Sequence, residues 1–279
     1  MDRFVHGLFF VALFAVGCGK ADSTAPDQAL PGSKKPAAGE QALTGAGSSF
    51  VNPLMSKWVS DYGKAHPGVK IDYQSIGSGG GIRQITQRTI DFGATDAPMT
   101  AEQLQKAPGI LHVPLCLGAV VLAYHLDGVP SGLKLTPEAT AGIFLGQIKS
   151  WDDDAIKKEN PDAKLPNKPI ATVHRSDGSG TTKIFVDYLS AVSPAWKSGP
   201  GTGTSVNWPG GLGAKGNEGV TAQVKSTPGA IGYVELAYAK QGGLTWVSLK
   251  NKIGNFIAPS LESASQAFEG VTIPDDTRV

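Results

Sequence analysis

The stretch HRSDGSGTTKIF, residues 174–185, sets an arginine and an aspartate beside hydroxyl residues in a glycine frame, followed by an apolar run. Chemically this is an anion seat. Glycine lets backbone N–H groups face outward, Ser or Thr caps a helix, and the Arg175 guanidinium offers a planar fork of donors to an oxyanion. It is not a Walker loop, because no Gly-Lys-Ser/Thr follows a glycine at the required spacing. Nor is it a hydrolase elbow, since Gly178-Ser179-Gly180 lacks the outer glycines.

The same arrangement recurs. GAGSSF at 45–50 and IGSGGGI at 76–82 lead into helical patterns just as DGSGTTKIF does. Each reads as strand, glycines, hydroxyl residue, helix. One such start is an ordinary helix cap; three, with an arginine and an aspartate nearby, favour convergence on one anion, because each helix start offers unsatisfied N–H donors and the positive end of a dipole. The aspartate is Asp96 in DFGATD, which follows a predicted strand where α/β ligands bind. Locally it reads equally well as the cap of the helix over TAEQLQKA, where Thr100 is the better cap. A carboxylate among anion-binding donors makes sense if the anion carries a proton to donate.

The elements that must position these residues are short. Strands are predicted over 41–44, 69–74, 91–95, 113–124, 170–174 and 230–234. Amphipathic helical patterns lie between several of them, such as Phe50, Leu54, Trp58 and Tyr62, or Ile184, Phe185, Tyr188, Leu189 and Val192. Alternating strands and helices indicate an α/β fold. The 279 residues suffice for two domains, and 41% hydrophobic with 18% charged residues is a globular composition. A net charge of +1 provides no broad basic field, so no nucleic-acid partner is expected and an anion must be held by a local site.

Arg3 precedes the apolar run Leu8 to Val16, too short to span a bilayer and proportioned as an export signal. AVGC ends it and resembles a bacterial lipoprotein signal with Cys18 as the lipidated residue. The following Ala, Pro, Gly, Ser and Lys-rich stretch is a tether. Cys116, the other cysteine, lies in an apolar run and is expected to be a buried inert thiol. Trp151-Asp152-Asp153-Asp154 reads as a helix start rather than a metal cluster, Gly199 to Gly219 as a structured loop, and Ile82 stands where a dinucleotide fingerprint needs its last glycine.

From Leu43 to Lys240 the chain resembles the PstS-type phosphate-binding proteins, periplasmic receptors of the phosphate-specific ABC transporter. The resemblance rests on LTGAGSSF, YQSIGSGGGIRQI, DFGATDAPM, LGQIKSWDD, HRSDGSGTT, GTGTSVNWPGGLGAKGNEGV and PGAIGYVELAYAKQ. It implies a two-lobed periplasmic binding protein (Venus-flytrap) fold, type II-like, with hinge strands between the lobes. It also implies phosphate ligands at Ser49, Phe50, Ser78, Asp96, Arg175, Ser179, Gly180 and Thr181, with Asp177 paired to Arg175. The organisation so read is a lipoprotein-type signal over 1–18, a tether over 19–41, a first lobe of 42–122 plus 232–279, and a second lobe of 123–231. Ser49 stands where many relatives have threonine, Gly79 replaces a common second serine, and after Lys240 the match fades, so the first lobe is expected to be incomplete or differently closed.

Four readings compete. A solute receptor, bound for the periplasm or cell envelope, explains the export signal, tether, three helix starts and acid together; its partners would be inorganic phosphate, the permease subunits of an ABC importer in the inner membrane, and the membrane itself through a lipid anchor. A phosphoester hydrolase would need a nucleophile with its base or a metal cluster, and the five histidines show no ligand spacing. No catalysis, cofactor or metal is therefore expected. A sulfate or molybdate receptor is discriminated by Asp96, and a phosphate-sensing or adhesive surface protein by the absence of a neighbouring permease and ATPase.

Overall fold

A computed structural model describes residues 41–278 of the chain. The expected signal, Cys18, and all of the tether but Gln41 lie outside these residues. In chain order the elements are β1 (Gln41–Gly47), α1 (Asn52–Ala65), β2 (Val69–Ser75), α2 (Ser78–Thr86), β3 (Phe92–Ala94), α3 (Ala101–Lys106), β4 (Val120–Tyr124), β5 (Leu133–Leu135), α4 (Pro137–Phe144) and α5 (Asp154–Lys157). They continue with β6 (Ala171–Arg175), α6 (Gly180–Val192), α7 (Pro194–Ser198), β7 (Leu212–Ala214), α8 (Gly216–Ser226), β8 (Ala230–Glu235), α9 (Leu236–Gly242), β9 (Thr245–Lys250), β10 (Phe256–Ile257) and α10 (Leu261–Phe268). Among the described residues no helix is long and apolar enough to cross a membrane.

Two sheets result. The smaller is parallel, in the order β2-β1-β3, and its register sets Gly47 beside both Ser75 and Ala94. All three strands therefore end together, and the residues that follow them emerge at one edge. The larger has seven strands: β10-β9-β4-β8-β6-β7, with β5 paired to β9. Here β6 runs parallel to both β7 and β8, with Arg175 opposite Ala214, so a second set of carboxyl ends is aligned.

The core belongs mainly to the large sheet, because alternation along a strand sends neighbouring side chains to opposite faces. Leu122, Tyr124, Ile231 and Tyr233 face a cluster with Phe144, Trp151, Phe185, Leu189 and Trp196, whereas Val121, Ala123, Val173 and Val234 face Val220, Val224 and Leu236. Burying each large apolar side chain contributes roughly 1.5–3 kcal/mol. Trp208, in the glycine-rich loop, stacks on His174 and Tyr233 with ring centroids 4.8 and 5.7 Å away and so pins that loop to the core.

The chain departs from expectation in three places. Only the end of the run 113–124 becomes a strand, because Val120–Tyr124 alone finds partners, β8 and β9. Upstream, Leu111, Val113, Leu115 and Leu117 are exposed, and with Ile82, Ile85 and Phe92 they line a cavity of about 750 Å³. Cys116 lies in the same exposed segment, so it is not the buried thiol expected. Finally, residues from 232 onward do not join the small sheet: β8 is held between β4 and β6, and β9 pairs with β4 and β5, which assigns the chain from β4 to β10 to the large sheet. The strands expected to divide the lobes, β4 and β8, thus run through the middle of that sheet.

Candidate functional site

At the edge of the small sheet, each strand gives way at once to polar residues. Gly47 leads to Ser48, Ser49 and Phe50; Ser75 leads through Gly77 to Ser78 at the start of α2; Ala94 leads to Thr95 and Asp96. Gly77 has φ +82°, a left-handed conformation that favours glycine, and a Cβ there would lie 2.2 Å from an Asp177 carboxylate oxygen. Neither α1 nor α2 has a side-chain cap. The Ser48 and Ser78 hydroxyls are instead directed into the site: Ser48 accepts from the Phe50 N–H at 3.0 Å, and Ser78 accepts from the Gly180 N–H at 3.1 Å.

The facing edge belongs to the large sheet. Arg175 closes β6, with a side chain that is almost fully buried, and donates through Nε and Nη2 to the two oxygens of Asp177 at 2.7 and 2.6 Å. Asp177 also accepts from the Gly216 N–H at 3.1 Å, where α8 begins. This bidentate pairing uses two of the five guanidinium N–H groups and leaves three. Ser179 caps α6 by accepting from the Thr182 N–H at 3.0 Å. Gly180, its first residue, passes so close to Asp96 that a Cβ there would fall 2.6 Å from the Asp96 Cβ.

Asp96 sits where the edges meet. Its carboxylate accepts from the Ser48 hydroxyl and, at 3.2 Å, from the Thr181 hydroxyl. Burial pushes its pKa up, and these hydrogen bonds and the Arg175 charge offset that only in part. Burial alone would also raise Asp177, but there the Arg175 hydrogen bond and charge prevail and hold the carboxyl below its usual range. One carboxylate of the site is thus neutralised by a fixed cation, while the other is held mainly by hydroxyls.

Further contacts join the edges. The Gly79 N–H donates to the Gly178 carbonyl at 2.9 Å. Asn217 donates to the Ser49 and Thr181 hydroxyls. Tyr238 lies 2.7 Å from the Ser49 carbonyl and 2.8 Å from Glu218, whose carboxylate also accepts from Ser75 at 2.9 Å.

Residues 31–275 match the PBP superfamily domain. Among curated proteins, the chain is 54% identical over 224 residues to the phosphate-binding protein PstS of Pasteurella multocida, covering 80% of this chain and 64% of that protein. It is 49% identical over 229 residues to PstS of Haemophilus influenzae, covering 82% and 68%. The chain belongs to the PstS phosphate-binding protein family. It spans less than two thirds of the length of the first of these relatives. Among solved structures, a high affinity periplasmic phosphate-binding protein (PfluDING) bound with phosphate superposes with a TM-score of 0.66 at 19% identity, covering 86% of this chain and 72% of that one. An ABC-type phosphate transport receptor from Vibrio cholerae gives 0.53 at 21%, covering 81% of each. The fold is that of the two-lobed periplasmic binding proteins.

Of the residues the sequence singled out, Ser78, Asp96, Gly180 and Thr181 are linked through Ser78 and Asp96, and Asp177 with Arg175 lies beside Gly77, next to Ser78. Ser49 is reached through Asn217. The Phe50 ring packs on Gly118, with its N–H directed to Ser48. Thr100, with Gln103 completing a capping box, caps α3, which leaves Asp96 free of that task. Asp153 caps α5, and Trp151 is buried with its indole N–H on the Gly229 carbonyl. Sequence reasoning missed Ser48 and Asn217. The signal for Asn217 was present, since LGAKGN repeats the strand, glycine, polar residue, helix order of the other three starts.

Proposed function

We propose that the protein is an extracytoplasmic receptor that captures inorganic phosphate between the two sheet edges and delivers it to the permease of an ABC importer in the inner membrane. Cys18 carries the lipid that holds it to the envelope. The observation that carries this reading is Asp96: a carboxylate of raised pKa set among hydroxyls and helix-start N–H groups, opposite an arginine already paired with Asp177.

A desolvated phosphate must recover the hydrogen bonds it had in water. In this reading the hydroxyls of Ser49, Ser78 and Ser179 and the remaining Arg175 donors supply them, joined by the Phe50 and Gly180 N–H groups and the Thr181 hydroxyl, which exchange their contacts with Ser48, Ser78 and Asp96 for the ligand. Asp177 orients the guanidinium and cancels much of its charge, which leaves recognition to hydrogen bonds, and hydrogen bonds distinguish protonation states. Near neutral pH phosphate carries a proton that it donates to Asp96. Sulfate has none, and its lone pairs would face a carboxylate in a dry site. Binding here requires no bond making or breaking, so the reading is of a receptor rather than an enzyme.

Titration calorimetry of the purified protein tests the reading directly. Saturable one-to-one binding of phosphate supports it; absence of heat and of any co-purifying phosphate by mass analysis would remove it. The anchor is tested separately by growth with labelled fatty acid, where the label should enter the wild type and be lost in Cys18→Ser.

A further inference from the structure

Asn217 is completely buried, outside the phosphate ligand set, and its four hydrogen bonds have an unambiguous direction. The Glu235 backbone N–H can only donate, and it donates to Asn217 Oδ1 at 2.9 Å. That fixes which end of the amide is which. Nδ2 must then face the other way, where it lies 2.9 Å from Ser49 Oγ and 3.2 Å from Thr181 Oγ1. The Asn217 backbone N–H adds a second donor to Ser49 Oγ at 3.0 Å.

A hydroxyl has one proton and two lone pairs. Ser49 Oγ receives two donors, so both lone pairs are occupied and its proton must point elsewhere. Thr181 Oγ1 receives one donor from behind and gives its proton to Asp96 Oδ2. A phosphate oxygen without a proton can use a hydroxyl only as a donor. From this geometry we infer that Asn217 is a positioning residue that sets the polarity of the site: by filling both lone pairs of the Ser49 hydroxyl it forces that hydroxyl to present its proton rather than a lone pair to the anion. The inference rests on the phosphate reading above and extends it to a residue that does not touch the ligand. Its anchor is Glu235 in β8, at the middle of the large sheet, so the polarity is fixed by backbone rather than by a mobile side chain.

The test is Asn217→Asp, which keeps the shape and the Glu235 contact but turns the donor end into an acceptor. The Ser49 proton would then be drawn back toward residue 217, and phosphate affinity by calorimetry should fall at least about tenfold, as expected for one weakened hydrogen bond to a charged ligand. Added charge alone would also weaken binding, so the same substitution is made in a Ser49→Ala background. If Asn217 acts through the Ser49 hydroxyl, its effect there shrinks to less than about threefold, the non-additivity of groups acting as a unit. If Asn217→Asp fails to fold by thermal melting, Asn217→Ser takes its place, with a loss of at least about tenfold that disappears in the same background. Wild-type binding that is unchanged in the variant, or a loss of equal size in both backgrounds, overturns the inference while leaving the phosphate reading intact. A wild type that binds no phosphate overturns both.

Discussion

Asp96 and Asp177 both feel the charge of Arg175 yet titrate in opposite senses, because one is buried among hydroxyls and the other is locked to the guanidinium. A carboxyl whose folded pKa is raised adds stability that is present below its ordinary pKa and is lost as pH rises through the raised value. Asp177, held low, adds stability that is present above the ordinary value and is lost as pH falls. Removing the Asp96 charge should therefore stabilise the phosphate-free protein, and more so at high pH: Asp96→Asn should raise the melting temperature above wild type at pH 8 by more than at pH 4.5. A gap that is constant or larger at pH 4.5 contradicts the raised pKa. Arg175→Lys keeps the charge but cannot hold both Asp177 oxygens, and phosphate affinity should fall at least about tenfold by calorimetry. These residues were legible because arginine, aspartate and hydroxyls beside glycine have few other uses at a strand end. Asn217 was legible only as a fourth helix start in LGAKGN; its contact with the backbone N–H of Glu235, 18 residues away, was not.

The elements work by ending together. The register of β1, β2 and β3 places Ser48, Ser78 and Asp96 along one edge, and the pairing of Arg175 with Ala214 does the same for Asp177 and Gly216 on the other. Only one of the three predicted helix starts, that of α6, is an intrahelical serine cap; in the others the hydroxyls are released to the site. Gly180 is where helix and site compete for space. Alanine suits the first turn of a helix, so Gly180→Ala should retain its fold by circular dichroism. The new methyl would collide with Asp96, however, and phosphate affinity should fall about 100-fold or more. Affinity within about threefold of wild type would show that Asp96 is not held against α6. Long strands with apolar patterns were readable, but β5 and β7 were not. At three residues each, these are strands only because β9 and β6 pair with them. The run from Val113 erred the other way, its apolar composition suggesting pairing that the described residues do not provide.

At the scale of the molecule, two sheets are stitched by a few polar contacts: Gly79 to Gly178, Ser78 to Gly180, Ser49 to Asn217 and Ser75 to Glu218. The resemblance identified the family and fold but not which sheet owns β8 and β9, because that depends on pairings between strands distant in sequence, β8 with β4 and β6 and β9 with β4 and β5. If ligand locks the edges together, opening becomes rarer as phosphate is added. The Gly79 amide, hydrogen-bonded across the gap, should then exchange with solvent about 100-fold more slowly at a phosphate concentration 100 times Kd. An exchange rate unchanged by phosphate would rule out capture by closure of the two edges. The most direct test of the account is competition calorimetry between phosphate and sulfate at neutral pH. A site in which Asp96 accepts the proton of phosphate should discriminate by roughly 10⁴-fold, so sulfate in thousandfold excess leaves phosphate bound, and Asp96→Asn narrows the gap because an amide donates as well as accepts. Sulfate displacing phosphate from the wild type at comparable concentration would contradict the account.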